Sequence, residues 1–328
     1  MEQRSFSRMG RSASVIGLGC WQLGADWGDV ADSMAMDILH AAADAGVTFF
    51  DTADVYGDGR SERFIARLLK ERKDPDIFVA TKVGRRAVAQ IDSEYTETNL
   101  RNWVDRSLQN LDVERLDLVQ WHCPPTETFE RDDMYELFDA LVSEGKIAAY
   151  GVSVETVEQA RIAIAHSNIA SVQIIANAFR LKPFETVIPE AAALGVGIIV
   201  RVPLASGLLT AKFSLDSAFA ANDHRNYNRH GEKFDVGETF SGVPYDIGVR
   251  AAQELAAVAP NGVTPAQAAL RWIIDQPGVS TVIPGASSPE QARANAAVAS
   301  FAPTSTAYDE ALHRIYDRDI RVHIHERW

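Results

Sequence analysis

Cysteine is nearly missing from this chain: Cys20 and Cys123 are the two among 328 residues. Two thiols can neither staple a small fold nor build a thiolate metal cluster, and such sparing use fits a reducing compartment. No stretch approaches the roughly 20 uncharged apolar residues of a membrane helix. The first residues, MEQRSFSRMGRSASVIGLG, lack the uninterrupted apolar core of a secretory signal. Basic charge is also in deficit. With 32 Lys plus Arg against 45 Asp plus Glu the net charge is −13, which opposes phosphate-backbone binding, because that rests on clustered cations. These absences predict a cytoplasmic protein with neither a membrane nor a nucleic acid as partner.

What is present is 46% hydrophobic and 23% charged residues, the composition of a globular protein with a large core. No linker or low-complexity tract divides the chain, so 1–328 reads as one domain. Strand-like runs alternate with helix-like runs along it. After a hairpin turning at Met9-Gly10-Arg11, strand candidates fall at 14–21, 47–54, 77–84, 115–122, 148–154, 170–179, 196–204 and 279–285. Helical periodicity separates them: at 97–111, Leu100, Trp103, Val104, Leu108 and Leu111 form one apolar stripe. The strand candidates are short Val/Ile-rich runs of the kind buried on both faces in parallel sheets. Eight repeats of strand and helix make an α/β (β/α)8 TIM barrel; an open doubly wound sheet shares the alternation. A long aperiodic segment, 207–244, follows the seventh strand and has the length of a functional loop.

In such a barrel the active site forms at the C-terminal strand ends. Those ends carry Asp51, Lys82 and His122, with Tyr56 in the turn after Asp51. Each has a dull explanation: Asp51 as a cap, Lys82 as a surface charge, Tyr56 as a rim aromatic, His122 as a satisfied core histidine. Four protonatable side chains at equivalent strand ends are harder to dismiss.

The stretches DTADVYGDGRSE (51–62), TKVG (81–84), LVQWHCPP (118–125), PLASGLLTAK (203–212) and IPGASSPEQARAN (283–295) resemble, in order, the aldo-keto reductase superfamily. The resemblance implies a catalytic tetrad at Asp51, Tyr56, Lys82 and His122. A carbonyl that accepts hydride must also receive a proton. By the resemblance Tyr56 donates it, Lys82 lowers the phenol pKa, Asp51 pairs with the ammonium, and His122 orients the carbonyl oxygen. The implied cofactor is NADP, with NAD as the other candidate. Cys20, Trp21 and Asp51 would meet its nicotinamide end, and Ser153 and Gln173 its carboxamide. Pro203, Leu204, Ser206, Leu208 and Lys212 would lie along the pyrophosphate. Pro284, Gly285, Ser287, Gln291 and Asn295 would take the adenosine at a helix start, whose dipole favours an anion.

Three departures stand out. Val154 replaces a frequent Asn, Arg201 replaces an aromatic that stacks on the nicotinamide, and Gly285, Ser287 and Gln291 replace cations aimed at the 2′-phosphate. Other features are discounted. GLGCWQLG (17–24) is out of register for a Rossmann turn, His323 and His325 read as a solvated tail rather than metal ligands, and Cys123 reads as a packed thiol. No metal is implied. The reading is an NAD(P)H-dependent oxidoreductase that interconverts a carbonyl (aldehyde, ketone or sugar) and an alcohol or polyol. Its rivals are a nucleotide-binding regulatory subunit resembling channel β subunits and a cofactor-retaining epimerase. Trp21, the 207–244 segment and the tail ending in Trp328 are the candidates for the substrate pocket.

Overall fold

The computed structural model describes residues 1–24 and 30–328. A hairpin of β1 (Gln3–Phe6) and β2 (Arg11–Ser14) turns at Gly10, whose φ of 61° suits glycine. Eight parallel strands follow in sequence order: β3 (Leu18–Gly19), β4 (Phe49–Asp51), β5 (Phe78–Val83), β6 (Leu116–His122), β7 (Ile147–Ser153), β8 (Ile169–Ile175), β9 (Gly197–Arg201) and β10 (Thr281–Val282). Parallel bridges Ile16↔Val282 and Gly19↔Gly285 join the first strand to the last, which makes the sheet a barrel rather than an open doubly wound sheet. Helices such as Asp32–Asp44, Arg60–Arg72 and Glu97–Leu111 lie between the strands.

The first and last strands are shorter than their apolar runs suggest. Ser14 belongs to the hairpin, Trp21 begins a 3-10 turn, and regular pairing on the last strand is confined to Thr281–Val282. The closing seam explains this, since the backbones approach so closely there that a Cβ on Gly19 would sit 2.9 Å from the Ile283 carbonyl oxygen.

The hairpin plugs the N-terminal mouth of the barrel. Phe6 stacks on Phe49 at 5.8 Å and meets Phe78 edge-on at 5.6 Å, within a cluster that includes Ala80, Leu118, Ala170, Ile199 and Ile283. Gly197 leaves room for it: a Cβ there would come within 2.2 Å of the Phe6 ring. Arginines fasten the plug to carbonyls at the same end. Arg4 donates to Val279 O and Ile274 O, and Arg8 to His166 O, Ile169 O and Leu194 O.

At the opposite end the 207–244 segment is packed, with Asp223, His224, Asn228, Thr239 and Ser241 buried and Phe213, Phe219 and Phe240 in mutual ring contact. The C-terminal tail is not simply solvated. Trp328 is buried, its Nε1 donates to Asp235 Oδ1 at 2.9 Å, and Arg180 covers its ring at 4.4 Å. His325 lies against Tyr316, with Nδ1 2.9 Å from the hydroxyl, while His323 is exposed.

Beneath the turn after β4 two carboxyls are fully buried. Glu62 accepts from Thr81 Oγ1 at 2.6 Å and from Asn110 Nδ2 at 2.8 Å, whereas neither side-chain oxygen of Asp54 has a partner among the described residues. Burial first, and then the charge of Glu62, pushes the Asp54 carboxyl up to about 8 against the pull of Arg86 and Arg106.

Phe6→Ala should cost about 3–5 kcal/mol of stability, the usual range for a buried aromatic whose site cannot collapse. A urea midpoint close to wild type would show the plug to be dispensable. Asp54 has a folded pKa above its unfolded value of about 4, so its contribution is full below that value and is lost as pH rises toward 8. Stability should therefore fall more between pH 5 and pH 8.5 in the wild type than in Asp54→Asn, and an equal fall in the two proteins would mean that Asp54 is already ionised in the fold.

Candidate active site

Register sets the site. Asp51 ends β4, Lys82 is the penultimate residue of β5, and His122 and Ser153 end β6 and β7 as a direct pair. The turn after β4 carries Tyr56 and is held from beneath. Thr52 Oγ1 donates to Ser61 Oγ at 2.8 Å, which donates to Cys20 O at 3.0 Å. Gly57 is required here, because a Cβ on it would lie 2.4 Å from Gly24 O and its φ is 57°.

Lys82 Nζ lies 2.5 Å from Asp51 Oδ1, 2.9 Å from Thr52 O and 3.3 Å from Tyr56 Oη. The ion pair is almost wholly out of water, with side-chain exposures of 1% for Lys82 and 4% for Asp51. Burial works against the ammonium, but Asp51 and then Tyr56 outweigh it, and the Lys82 pKa stands above its ordinary value. Asp51 Oδ2 accepts from Gln173 Nε2 at 2.7 Å and Gln120 Nε2 at 3.3 Å. The Gln173 amide, expected to face a carboxamide, thus braces Asp51, and Gln120 is a supporting residue that sequence reasoning missed.

Tyr56 departs from expectation in its acidity. Burial pushes the phenol up to about 12, and the opposing pull of Lys82 reduces this rise without reversing it. Trp21 stacks on Tyr56 at 6.1 Å, and His122 meets it edge-on at 5.9 Å. Burial, and then the cations Arg85, Lys82 and Arg201, hold His122 well below its ordinary pKa, so the imidazole is neutral at physiological pH. Its Nδ1 is buried without a partner among the described residues.

These groups open onto a cavity of about 1190 Å³. Asp51, Tyr56 and His122 line it, and so do Cys20, Trp21, Ser153, Gln173 and Arg201, while Lys82 lies behind the wall. Pro203, Leu204, Ser206 and Lys212 continue the lining, and Pro284, Gly285, Ser287, Gln291 and Asn295 extend it over the turn after β10. Leu208 is not part of the lining. Its side chain is buried against Gly248, where a Cβ would meet it at 2.7 Å. Ser206 lines the cavity with its hydroxyl already engaged, donating to Glu238 O and accepting from Phe240 N–H. Ser287 N–H and Oγ–H both donate to Gln291 Oε1, at 2.8 and 2.9 Å.

Arg201 does not extend as a flat stacking partner. It is bound to Val154 O at 2.9 Å, Glu155 at 3.0 Å and Glu238 at 2.5 Å. Cys123 Sγ, Glu155 and Glu238 come within 4.8 Å of one another, but the guanidiniums of Arg201 and Arg85 already neutralise the carboxylates. Burial, and then Glu155, raises the Cys123 thiol to about 11, consistent with a packed thiol. Trp328 stands behind the loop and does not line the cavity. Sequence reasoning also missed Arg85, one residue beyond the TKVG motif, and the helix start at Thr264, where the reciprocal Thr264–Gln267 cap was legible as T-P-A-Q.

Comparison with known proteins gives the family. The Aldo/keto reductase family pattern matches residues 15–316. Aldo-keto reductase YhdN of Bacillus subtilis (strain 168) is 32% identical over 302 residues, covering 90% of this chain and 87% of that protein. The glycerol dehydrogenase AKR11B4 from Gluconobacter oxydans superposes with a TM-score of 0.78 at 28% identity, covering 97% of this chain and 96% of that one. An aldo-keto reductase from Klebsiella pneumoniae, solved in complex with NADPH, shares the fold with a TM-score of 0.68 at 22% identity, over 96% of this chain and 95% of that one. On the extent of these matches, the chain belongs to the Aldo/keto reductase family and is an oxidoreductase.

Proposed function

We propose that this chain reduces a small aldehyde or ketone to the alcohol with NADPH, using Tyr56 as the proton donor. The observation that carries the proposal is the contact of the Tyr56 hydroxyl with a buried, paired Lys82 at the edge of the cavity. At neutral pH a phenol pushed up to about 12 is protonated, so the donor is loaded. Loss of that proton leaves a phenolate 3.3 Å from an ammonium, which offsets the penalty of forming an anion in a buried place. Neutral His122, facing Tyr56 edge-on, is suited to donate a hydrogen bond to the carbonyl oxygen. Asp51 keeps Lys82 charged and in place.

The residues fit a nicotinamide dinucleotide. The cavity exceeds the about 300–1,000 Å³ typical of small-ligand sites, and it runs unbroken from Tyr56 to the start of the helix Pro289–Ala297. Val202, Ala205, Ser206 and Gly207 have φ of 50°, 48°, 54° and 96°, so the chain turns tightly after β9, and Val202, Ser206 and Gly207 line the cavity. Lys212, exposed at the edge of the lining, adds a cation. Ser153 would meet the carboxamide, and Ser287 and Asn295 the adenosine. Bound there, the cofactor supplies hydride. Residues 1–328 act together as one catalytic domain.

Tyr56→Phe should lower kcat for aldehyde reduction by at least a hundredfold and leave NADPH affinity within a few-fold. Turnover within tenfold of wild type would remove Tyr56 from its role. NADPH consumed in proportion to alcohol formed also separates this reading from a nucleotide-sensing subunit and from an epimerase, which consumes none.

Cofactor choice gives a second prediction. Arg293, the cation nearest the adenosine turn in sequence, is 58% exposed, pairs with Glu290 at 3.6 Å and does not line the cavity. Selection for a 2′-phosphate then rests on hydroxyls, which accept a ribose hydroxyl equally, and on the one helix N-terminus at Pro289, worth about 0.3–1 kcal/mol, and at 1.4 kcal/mol per tenfold the NADPH preference should be below about tenfold. Ser287→Arg should enlarge it. A wild-type preference above a thousandfold in fluorescence titration would show that a clamping cation exists.

A further inference from the structure

Above Tyr56 the cavity is walled by a chain of ring contacts. Trp21 stacks on Tyr56, Phe234 meets Trp21 at 5.8 Å, and the Arg85 guanidinium lies 5.9 Å from the Phe234 ring. Gly84, with φ of 124°, turns the chain after β5 so that Arg85 follows Lys82 onto the same mouth. Arg85 is close enough to His122 to depress its pKa.

Arg85 belongs to a buried cluster with Arg180, Arg201, Glu155 and Glu238. Three guanidiniums share two carboxylates, and Arg201 takes the shortest bond to each. Asp235, which faces Arg180, is already engaged by Gly237 N–H and Trp328 Nε1–H. Arg85 keeps one bond, from Nη2 to Glu155 Oε1 at 3.1 Å. Its Nε and Nη1 make no hydrogen bond among the described residues, and its side chain retains 21% exposure where Arg201 retains 8%. A guanidinium with unused donors on a cavity wall is a strong oxyanion partner. Lys233, exposed at the rim beside Phe234, places a second cation on the same lining.

We infer that Arg85 selects carbonyl substrates that carry an oxyanion, a carboxylate or a phosphate, away from the reacting carbon. Trp21 and Phe234 would cover the apolar span between the two groups. This inference rests on the reductase reading above and names the substrate class of that site.

The test compares kcat/KM for 4-carboxybenzaldehyde and its neutral methyl ester, and for glyceraldehyde 3-phosphate and glyceraldehyde, in wild type, Arg85→Met and Arg85→Lys. Wild type should favour the anionic member of one pair, mainly through KM. In Arg85→Met that ratio should fall by about 10–100-fold, the range expected for one charge-assisted contact, and Arg85→Lys should restore part of it. The pair with the larger Arg85-dependent fall identifies the oxyanion. An equal loss on both members of each pair would assign Arg85 a structural role and overturn the inference, as would unchanged ratios. Calorimetric titration of benzoate and benzamide into the NADP-loaded protein needs no turnover. Benzoate binding that Arg85→Met abolishes supports the oxyanion site even if no aldehyde is reduced, and equal affinity for the two compounds rejects it even if aldehydes are reduced.

Discussion

The ion pair between Lys82 and Asp51 is the constraint around which the site is arranged. An ammonium at 1% exposure keeps its proton only if a carboxylate stays against it, so β4 and β5 must be neighbours and in one register. The carboxylate imposes demands in turn. Its second oxygen accepts from Gln120 on β6 and Gln173 on β8, so one buried Asp on β4 draws side chains from three other strands to a single point. Such a pair is poor evidence for stability, because desolvation consumes much of its attraction. What it secures is position: Nζ is held where it can reach Tyr56 Oη.

The two mouths of the barrel divide the labour. At the N-terminal mouth Phe6, Phe49 and Phe78 fill the interior and arginines from the hairpin satisfy carbonyls at helix and strand ends. At the other mouth the chain accepts local strain and buried charge: Cys123, Val202, Ala205 and Ser206 adopt left-handed φ, and Arg201 is buried between two glutamates. A β-branched residue with positive φ, such as Val202, persists only where surrounding structure over-determines it. The rigid apolar end and the packed long loop supply that surrounding.

How much was legible in the sequence follows the same division. Strand ends were readable because parallel strands are short apolar runs, and a charged or phenolic residue at the end of such a run stands out; Asp51, Lys82 and His122 were found this way. Gln120 was hidden because it lies inside LDLVQWH, where a polar residue reads as an interruption rather than a partner for an Asp 69 positions away. Glu238 sits in an aperiodic segment, and nothing local announces that it will meet Arg201. Leu208 was assigned to the cavity because its segment as a whole runs along it, yet the left-handed turn at Ser206 and Gly207 sends its side chain inward. The tail was misread because Trp328 is an isolated aromatic, and its partners Asp235 and Arg180 are remote in sequence.

Charge sets the last requirement. A chain with net charge −13 repels an anionic dinucleotide at long range, although about 8–10 Å of screening at physiological salt confines that repulsion to the surface. Affinity must then come from the cavity itself, where field lines are focused between walls of low polarity. Its lining reverses the sign of the whole molecule: Arg85, Arg201, Lys212, Arg225 and Lys233 outnumber Asp51, Glu238 and Glu290. Helices starting at Pro265 and Pro289 open onto it and add the positive ends of their dipoles. A chain of net negative charge can therefore still admit a phosphorylated ligand to a cation-lined cavity. That combination explains how a chain short of basic residues can still present cations where an anion must be bound.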